Sequence, residues 1–148
     1  MSIKEQIAGD VKSAMKAREK LKLETLRMTL AAIKNKEIEK KAELDDRGAV
    51  ALISTLVKQR REAAGMYRDA GRDELADKEE EEITFLKGYL PKELSREDLI
   101  AAVDAVIEES GASSMADMGN VMKGVMAKVG GQAEGRMVNE VVKERLSR

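Results

Sequence analysis

The chain has no cysteine, no histidine and no tryptophan, a single proline, Pro91, and three aromatic residues, Phe85, Tyr67 and Tyr89, in 148 positions. Without thiol or imidazole there is no disulfide framework, zinc finger, Cys or His nucleophile, Ser-His-Asp triad or haem ligation, because each needs a soft sulfur or an imidazole. Long apolar runs are missing too: a run such as Ala49 to Ile53 is far below the ~20 residues of a bilayer span. The amino-terminal Met1-Ser-Ile-Lys-Glu-Gln carries charge where a secretory signal has an apolar core of about 7 to 15 residues. A soluble, cytoplasmic protein is the expectation, with no membrane, no metal and no cofactor.

What is there is charge and helix formers. Charged residues make up 37% and hydrophobic residues 43% of the chain, a composition neither disordered nor membrane-embedded. A chain of this size buries roughly 70% of its unfolded surface and makes one domain or two small ones. The formal charge is −1, unevenly spread: residues 1–40 carry 10 basic and 6 acidic groups, 41–94 carry 10 and 13, and 95–148 carry 7 and 9. Within the last segment, 95–117 is net −5 and 118–148 net +3, so the carboxyl end splits into an acidic and a basic half.

No stretch alternates in the way a strand requires, and apolar spacings of three and four run almost end to end, which predicts an all-α protein. Ser2 with Glu5 has the form of a capping box and opens a helix burying Ile3, Ile7, Val11, Ala14 and Met15. A second helix, about Glu19 to Glu43, places Leu23, Leu26, Leu30, Ile33 and Ile38 on one stripe and breaks at Asp45-Asp46-Arg47-Gly48. A third runs from about Ala49, with Leu52, Ile53, Leu56, Val57, Ala63 and Met66 inside, to Gly71, which suits a left-handed cap. A fourth, from near Asp73, ends before Pro91; its Glu79 to Glu82 run reads as a solvated surface.

Beyond Pro91, Ser95 and Asp98 repeat the Ser-x-x-acid cap ahead of Leu99, Ile100, Val103, Val106 and Ile107, and Gly111 closes that helix. Ser114 and Asp117 form a third such cap before Met115, Met118, Met122, Val125 and Val129, with Gly119 and Gly124 permitting close approach of a neighbour. After Gly130-Gly131, a last helix from about Glu134 buries Val138, Val141, Val142 and Leu146. The expected organisation is a helical region of about four hairpin-like helices over residues 1–92 and a three-helix bundle over 93–148, linked at Leu90 to Glu93.

Four features bear on chemistry. The Met row is a core face whose edge remains available to a partner. The turn from Gly130 to Arg136 leads into a helix N-terminus, where orphan N–H groups favour an anion; it reads either as a plain turn or as a backbone clamp for RNA phosphate, with Lys123, Lys128, Arg136, Lys143 and Arg145 nearby. No strand precedes it and no Gly-Lys-Ser/Thr ends it, which excludes a P-loop. Arg61, Arg68 and Arg72 share a helix face and read as salt-bridge partners of the fourth helix rather than as a phosphate site. An exposed pair is worth less than about 1 kcal/mol, so an important Arg here has to be partly buried or ligand-bound. Ser113, Ser114, Thr25, Thr29, Thr55 and Thr84 sit in no nucleophile setting, and no catalytic residue is assigned.

The order of Lys58-Gln-Arg-Arg-Glu62, Gly71-Arg72, Tyr89-Leu-Pro-Lys-Glu-Leu-Ser95, Gly111-Ala-Ser-Ser-Met-Ala-Asp-Met-Gly119, Val121 to Lys128 and Val138-Asn-Glu-Val-Val-Lys143 resembles the YqeY family over nearly the whole chain. That resemblance implies a helical amino-terminal region and a carboxyl-terminal domain similar to the tail of GatB, a subunit of the glutamine-dependent Asp-tRNA/Glu-tRNA amidotransferase, whose tail engages tRNA. It carries Lys123, Lys128, Gly130, Gly131, Arg136 and Lys143 over as candidate nucleic-acid contacts. The ATP site and amidase core of that enzyme have no counterpart here. With few aromatics to stack bases, recognition would rest on duplex shape and phosphate. The leading expectation is therefore a non-catalytic, tRNA-linked binding module. A protein adaptor docking through the Met-rich helix is the alternative, and an accessory component of a carbon-nitrogen ligase with glutamine as amido-N-donor ranks below it.

Overall fold

A computed structural model describes residues 1–147, Gly131 through its backbone alone, and shows an all-α chain with no strand among the described residues. It divides into two compact units, Met1–Leu90 and a second from Pro91 onward. No helix of the described residues is long and apolar enough to cross a membrane.

The first unit has four helices. α1 (Ile3–Lys16) opens with the capping box: the Ser2 hydroxyl accepts from Glu5 N at 3.1 Å and the Glu5 carboxylate accepts from Ser2 N at 3.4 Å. It buries Ile3, Ile7 and Ala14, whereas Met15, one step round from Ala14, turns out to solvent. α2 (Lys20–Lys40) lies between two left-handed residues, Arg18 (φ 58°) and Lys41 (φ 56°). It buries Leu26 and Ile33, but Ile38 is 74% exposed, because five residues after Ile33 is about 140° round the helix from the buried side. Two threonines the apolar pattern passed over, Thr25 and Thr29, take places inside, and their hydroxyls donate to Leu21 O and Thr25 O at 2.8 Å each. They are thereby buried without orphan polar groups.

α3 (Asp46–Asp69) starts ahead of Ala49. The acidic run expected to break the preceding helix opens this one: Asp45 accepts from Gly48 N at 2.8 Å as the N-cap, and Asp46 accepts from Ile3 N at 2.9 Å. Its buried stripe is Ala49, Ile53, Val57, Arg60 and Ala64; Met66, expected inside, is 73% exposed because the stripe passes it by. α4 (Asp73–Lys87) packs along α3 and buries Ala76, Ile83 and Leu86. Beyond α4, the Tyr89 hydroxyl donates to Asp10, tying Tyr89 to α1 within the first unit; burial, then Asp10, holds the phenol above its usual value. The Glu79–Glu82 run is not uniformly solvated: Glu81 faces out, Glu80 is exposed but reaches Arg68 of α3 at 2.8 Å, and Glu79 and Glu82 are half-buried, Glu82 on Arg60 of α3.

In the second unit α5 (Arg96–Ser110), α6 (Met118–Val129) and α7 (Gly135–Leu146) pack pairwise around Leu99, Val103, Val121, Val125, Val138, Val141 and Val142. Ser95 caps α5 by accepting from Asp98 N at 3.1 Å, and Gly111 closes it at φ 70°. The third cap does not form. Ser114 makes no side-chain cap bond, a 3-10 turn over Met115–Asp117 intervenes, and Asp117 reaches back to accept from Ser113 N at 3.1 Å. Gly124 provides the close approach: a Cβ there would meet Val106 Cγ1 at 2.8 Å, whereas Gly119 faces open space.

Candidate nucleic-acid interface

The candidate residues sit on α6, on α7 and in the turn between them. The wall of α6 that faces the core is Val121, Val125 and Val129; of the expected row Met115, Met118, Met122, Val125 and Val129, only the two valines are fully inside. Met118 and Met122 pack at the core edge, and Met115 and Met126 are exposed. Lys123, two residues from both Val121 and Val125, therefore projects away from the core at about 160–200°. Lys128 sits on the flank facing α5 and is taken up by Glu109, Nζ to Oε1 at 3.0 Å.

Gly130 (φ 52°) leads into a 3-10 turn over Gly130–Gln132. Gln132 holds that turn against the start of the unit: its carbonyl accepts from Leu94 N at 2.8 Å and its amide donates to Lys92 O at 3.4 Å. Gly131 belongs to the same turn, and its surroundings lie outside the described residues. α7 then begins behind Glu134, a carboxylate at the N-cap that makes no side-chain cap bond. A negative group at that end already answers the helix dipole, which lowers the pull of the turn on a phosphate.

Arg136 and Lys143 are exposed and seven residues apart on α7, a spacing that returns to within about 20° of the same side. They form one outward stripe opposite Val138 and Val141. Neither makes an ion pair among the described residues, although exposed Glu140 lies between them. Arg145, by contrast, turns toward α5 and grips Asp104 through Nε and Nη2 at 2.8 Å each, which raises the guanidinium pKa. Arg136 and Lys143 are thus brought together, Lys123 stands on the outer face of a different helix, and Lys128 is neutralised.

Of the expected stripe Arg61, Arg68 and Arg72, Arg68 is held in ion pairs, while Arg72 lies beyond α3 as the N-cap residue of α4. Arg68 meets Asp77 and Glu80 at 2.8 Å each and Asp73 at 3.7 Å; hydrogen bonds to Asp77 and Glu80 raise its pKa. A groove of about 480 Å³ between α3 and α4 is lined by Arg61, Gly65, Arg68, Glu80, Thr84 and Lys87, among others. The buried arginine of α3 is Arg60, which the sequence reading did not single out from its neighbours; its Nε donates to Glu82 Oε2 at 3.1 Å. Its signal was the apolar period itself, since Arg60 falls in step with Ile53, Val57 and Ala64.

A family model described as Yqey-like protein matches residues 4–146. The chain belongs to this family. Relatives of the YqeY chain include three proteins named altered inheritance of mitochondria protein 41, mitochondrial. That of Eremothecium gossypii is 39% identical over 103 residues, 68% of this chain and 56% of the relative. That of Vanderwaltozyma polyspora is 39% identical over 82 residues, 55% and 44% of the two chains. That of Saccharomyces cerevisiae strain YJM789 is 35% identical over 85 residues, 57% and 46%. The chain spans about half the length of the curated relatives it matches. The expected cytoplasmic location is overturned, since these relatives are named as mitochondrial proteins. The expectation rested on the lack of an apolar secretory core, and that lack says nothing of a mitochondrial address, which is an amphipathic, Arg- and Ser-rich stretch.

Proposed function

We propose that this YqeY-family chain is a non-catalytic binding module that engages tRNA, in the manner of the tRNA-engaging tail of the glutamine-dependent amidotransferase that its second unit resembles. The observation that carries this is the outward stripe of α7, where Arg136 and Lys143 are exposed and unpaired among the described residues. Such cations bind phosphate by displacing condensed counterions, a sequence-independent and salt-dependent attraction. Lys123 adds charge from the outer face of α6. Catalysis by the threonines has little support, because Thr25, Thr29, Thr55 and Thr84 each donate their hydroxyl to a carbonyl of their own helix.

Titration of unfractionated tRNA at several salt concentrations tests the proposal. Binding at low salt is expected, and Arg136→Gln with Lys143→Gln is expected to lower the slope of log Kd against log salt by about one for each side chain. Absence of binding at low salt, or a slope unmoved by the double variant, removes it. The adaptor alternative is favoured by exposed thioethers at Met115, Met126 and Met137. A protein partner that survives RNase and the Arg136/Lys143 variant, and is lost on Met126→Gln with the fold intact, would replace tRNA as the ligand.

A further inference from the structure

Most of the strongly basic amino-terminal segment lies on α2, in the first unit, and its charges are not distributed at random. Lys20, Arg27 and Lys34 follow one another at intervals of seven, and Lys41 continues the series as the C-cap. All four are exposed. Seven residues return a helix to within about 20° of the same side and advance it by about 10.5 Å, so Lys20, Arg27 and Lys34 form a row along one flank, next to the buried side of Leu26 and Ile33, with Lys41 following just beyond the last helical turn.

None of the four forms an ion pair among the described residues, although Glu37 feels the charge of Lys34. Of the acids on and beside α2, Glu19 pairs with Lys22, Glu39 with Lys36, and Glu37 with Lys4 on α1 at 2.7 Å while also accepting from Leu44 N. Glu24 lies between Lys20 and Arg27 but pairs with neither among the described residues. Elsewhere in the unit the helix-facing arginines Arg60 and Arg68 are matched by carboxylates. Spacing of about one Debye length at 0.1 M salt keeps mutual repulsion tolerable in the free protein while letting the fields add toward an extended anion.

The residues between the cations complete the surface. Ala31 is small and exposed, and Ile38, missing from the core it was expected to join, stands between Lys34 and Lys41. This flank offers repeated positive charge with minor apolar contact and no aromatic. We infer that the Lys20–Arg27–Lys34–Lys41 row of α2 is a phosphate-contact surface for the backbone of RNA, separate from the α7 stripe and located on the other unit of the chain. The inference rests on the nucleic-acid reading above and adds a surface to it. An anionic lipid surface fits less well. An interfacial helix needs a continuous apolar face, whereas on the outer side of α2 the large apolar residues Met28 and Ile38 stand ten positions apart, with Asn35 between them and Glu24 and Glu39 beyond.

The test uses the full chain with unfractionated tRNA, and vesicles of phosphatidylcholine and phosphatidylserine as a second probe. In Arg27→Gln with Lys34→Gln, binding to tRNA is expected to weaken roughly tenfold per side chain at ~0.1 M salt, and the salt slope to fall by about two. Arg27→Lys with Lys34→Arg is expected to bind like the parent, because charge and not shape makes the contact. Both positions are exposed, and unchanged helicity and melting verify the fold. Unchanged affinity and slope in the glutamine variant, with loss in the α7 variant, overturn the inference alone. Loss in the glutamine variant with an unchanged α7 variant supports it and moves the interface off α7. If the parent binds no tRNA, both fall, and vesicle binding abolished by the glutamine variant assigns the row to lipid.

Discussion

Arg60 takes an interior place on α3 that helical periodicity would give to an aliphatic side chain. Its Nε donates to Glu82, one Nη donates to Leu56 O at 3.4 Å, and the other lies 3.5 Å from Met28 Sδ. The two side chains of the pair are only 9% and 14% exposed, so removing one partner strands a desolvated charge, at a cost of about 3–5 kcal/mol. Arg60→Ala is expected to destabilise the first unit by that amount in urea denaturation. Arg60→Met with Glu82→Leu is expected to recover most of it, because no lone charge is then buried; equal losses in both variants would show that the ion pair itself is the net source of stability. Glu79, beside this pair, has its pKa raised by burial first and by the Glu82 charge second. The folded state therefore holds a proton there at pH values where the unfolded chain has released it, so stability falls as pH rises from the ordinary carboxylate range through the raised value. Above the raised value the whole penalty is present. Glu79→Gln is thus expected to melt higher than the parent at pH 7, the difference shrinking to nothing as pH drops below the carboxylate range; a variant that melts lower at pH 7 would mean that the Arg60 attraction outweighs burial.

At the scale of the helix, one substitution is expected to change sign between two glycines. Gly65 lies within α3, and a Cβ added there meets nothing within 4 Å, so Gly65→Ala gains helix propensity and stabilises by about 0.5–1 kcal/mol. Gly124 lies against Val106, whose stiff branched side chain a Cβ would strike at 2.8 Å, so Gly124→Ala forces α6 off α5 and costs about 1–3 kcal/mol despite the same propensity gain. Paired thermal melts of the two variants check both signs. The elements legible in the sequence are those whose cause is local: the Ser2–Glu5 box, the Ser95 cap, the left-handed Gly111 and the Val138, Val141, Val142 and Leu146 face all depend on neighbours within a turn or two. What was misread depends on which helix packs where. Ile38 follows Ile33 by five residues, a step out of the three-and-four pattern, and lies outside because α1 and α4 cover only one side of α2. Asp45 and Asp46 are turn formers by type, and they open α3 because Gly48 N and Ile3 N stand ready to donate to them. Lys128 was legible as a cation but not as a neutralised one, since Glu109 lies 19 residues earlier on another helix.

At the scale of the whole chain, the apolar interior is two separate clusters, one around Ile7, Leu26, Ile33, Ile53 and Leu86 and the other around Leu99, Val103, Val125, Val138 and Val141. Each cluster is assembled from helices of its own unit, so a defect in one acts first on that unit. Val141 is fully buried in the second. An unpaired carboxylate there costs several kcal/mol, a large part of the stability that a three-helix core of this size supplies. Val141→Asp is therefore expected to unfold α5, α6 and α7 while α1 to α4 keep their structure. Amide hydrogen exchange is the measurement: protection should vanish over residues 96–146 and persist over Ile53, Val57 and Leu86. Protection lost throughout would mean that the first cluster cannot hold its helices without the second. Retained protection in α7 would show that the helix rotates to take residue 141 out of the core, which the flanking Val138 and Val142 make costly, because any turn that exposes position 141 drags one of them toward water.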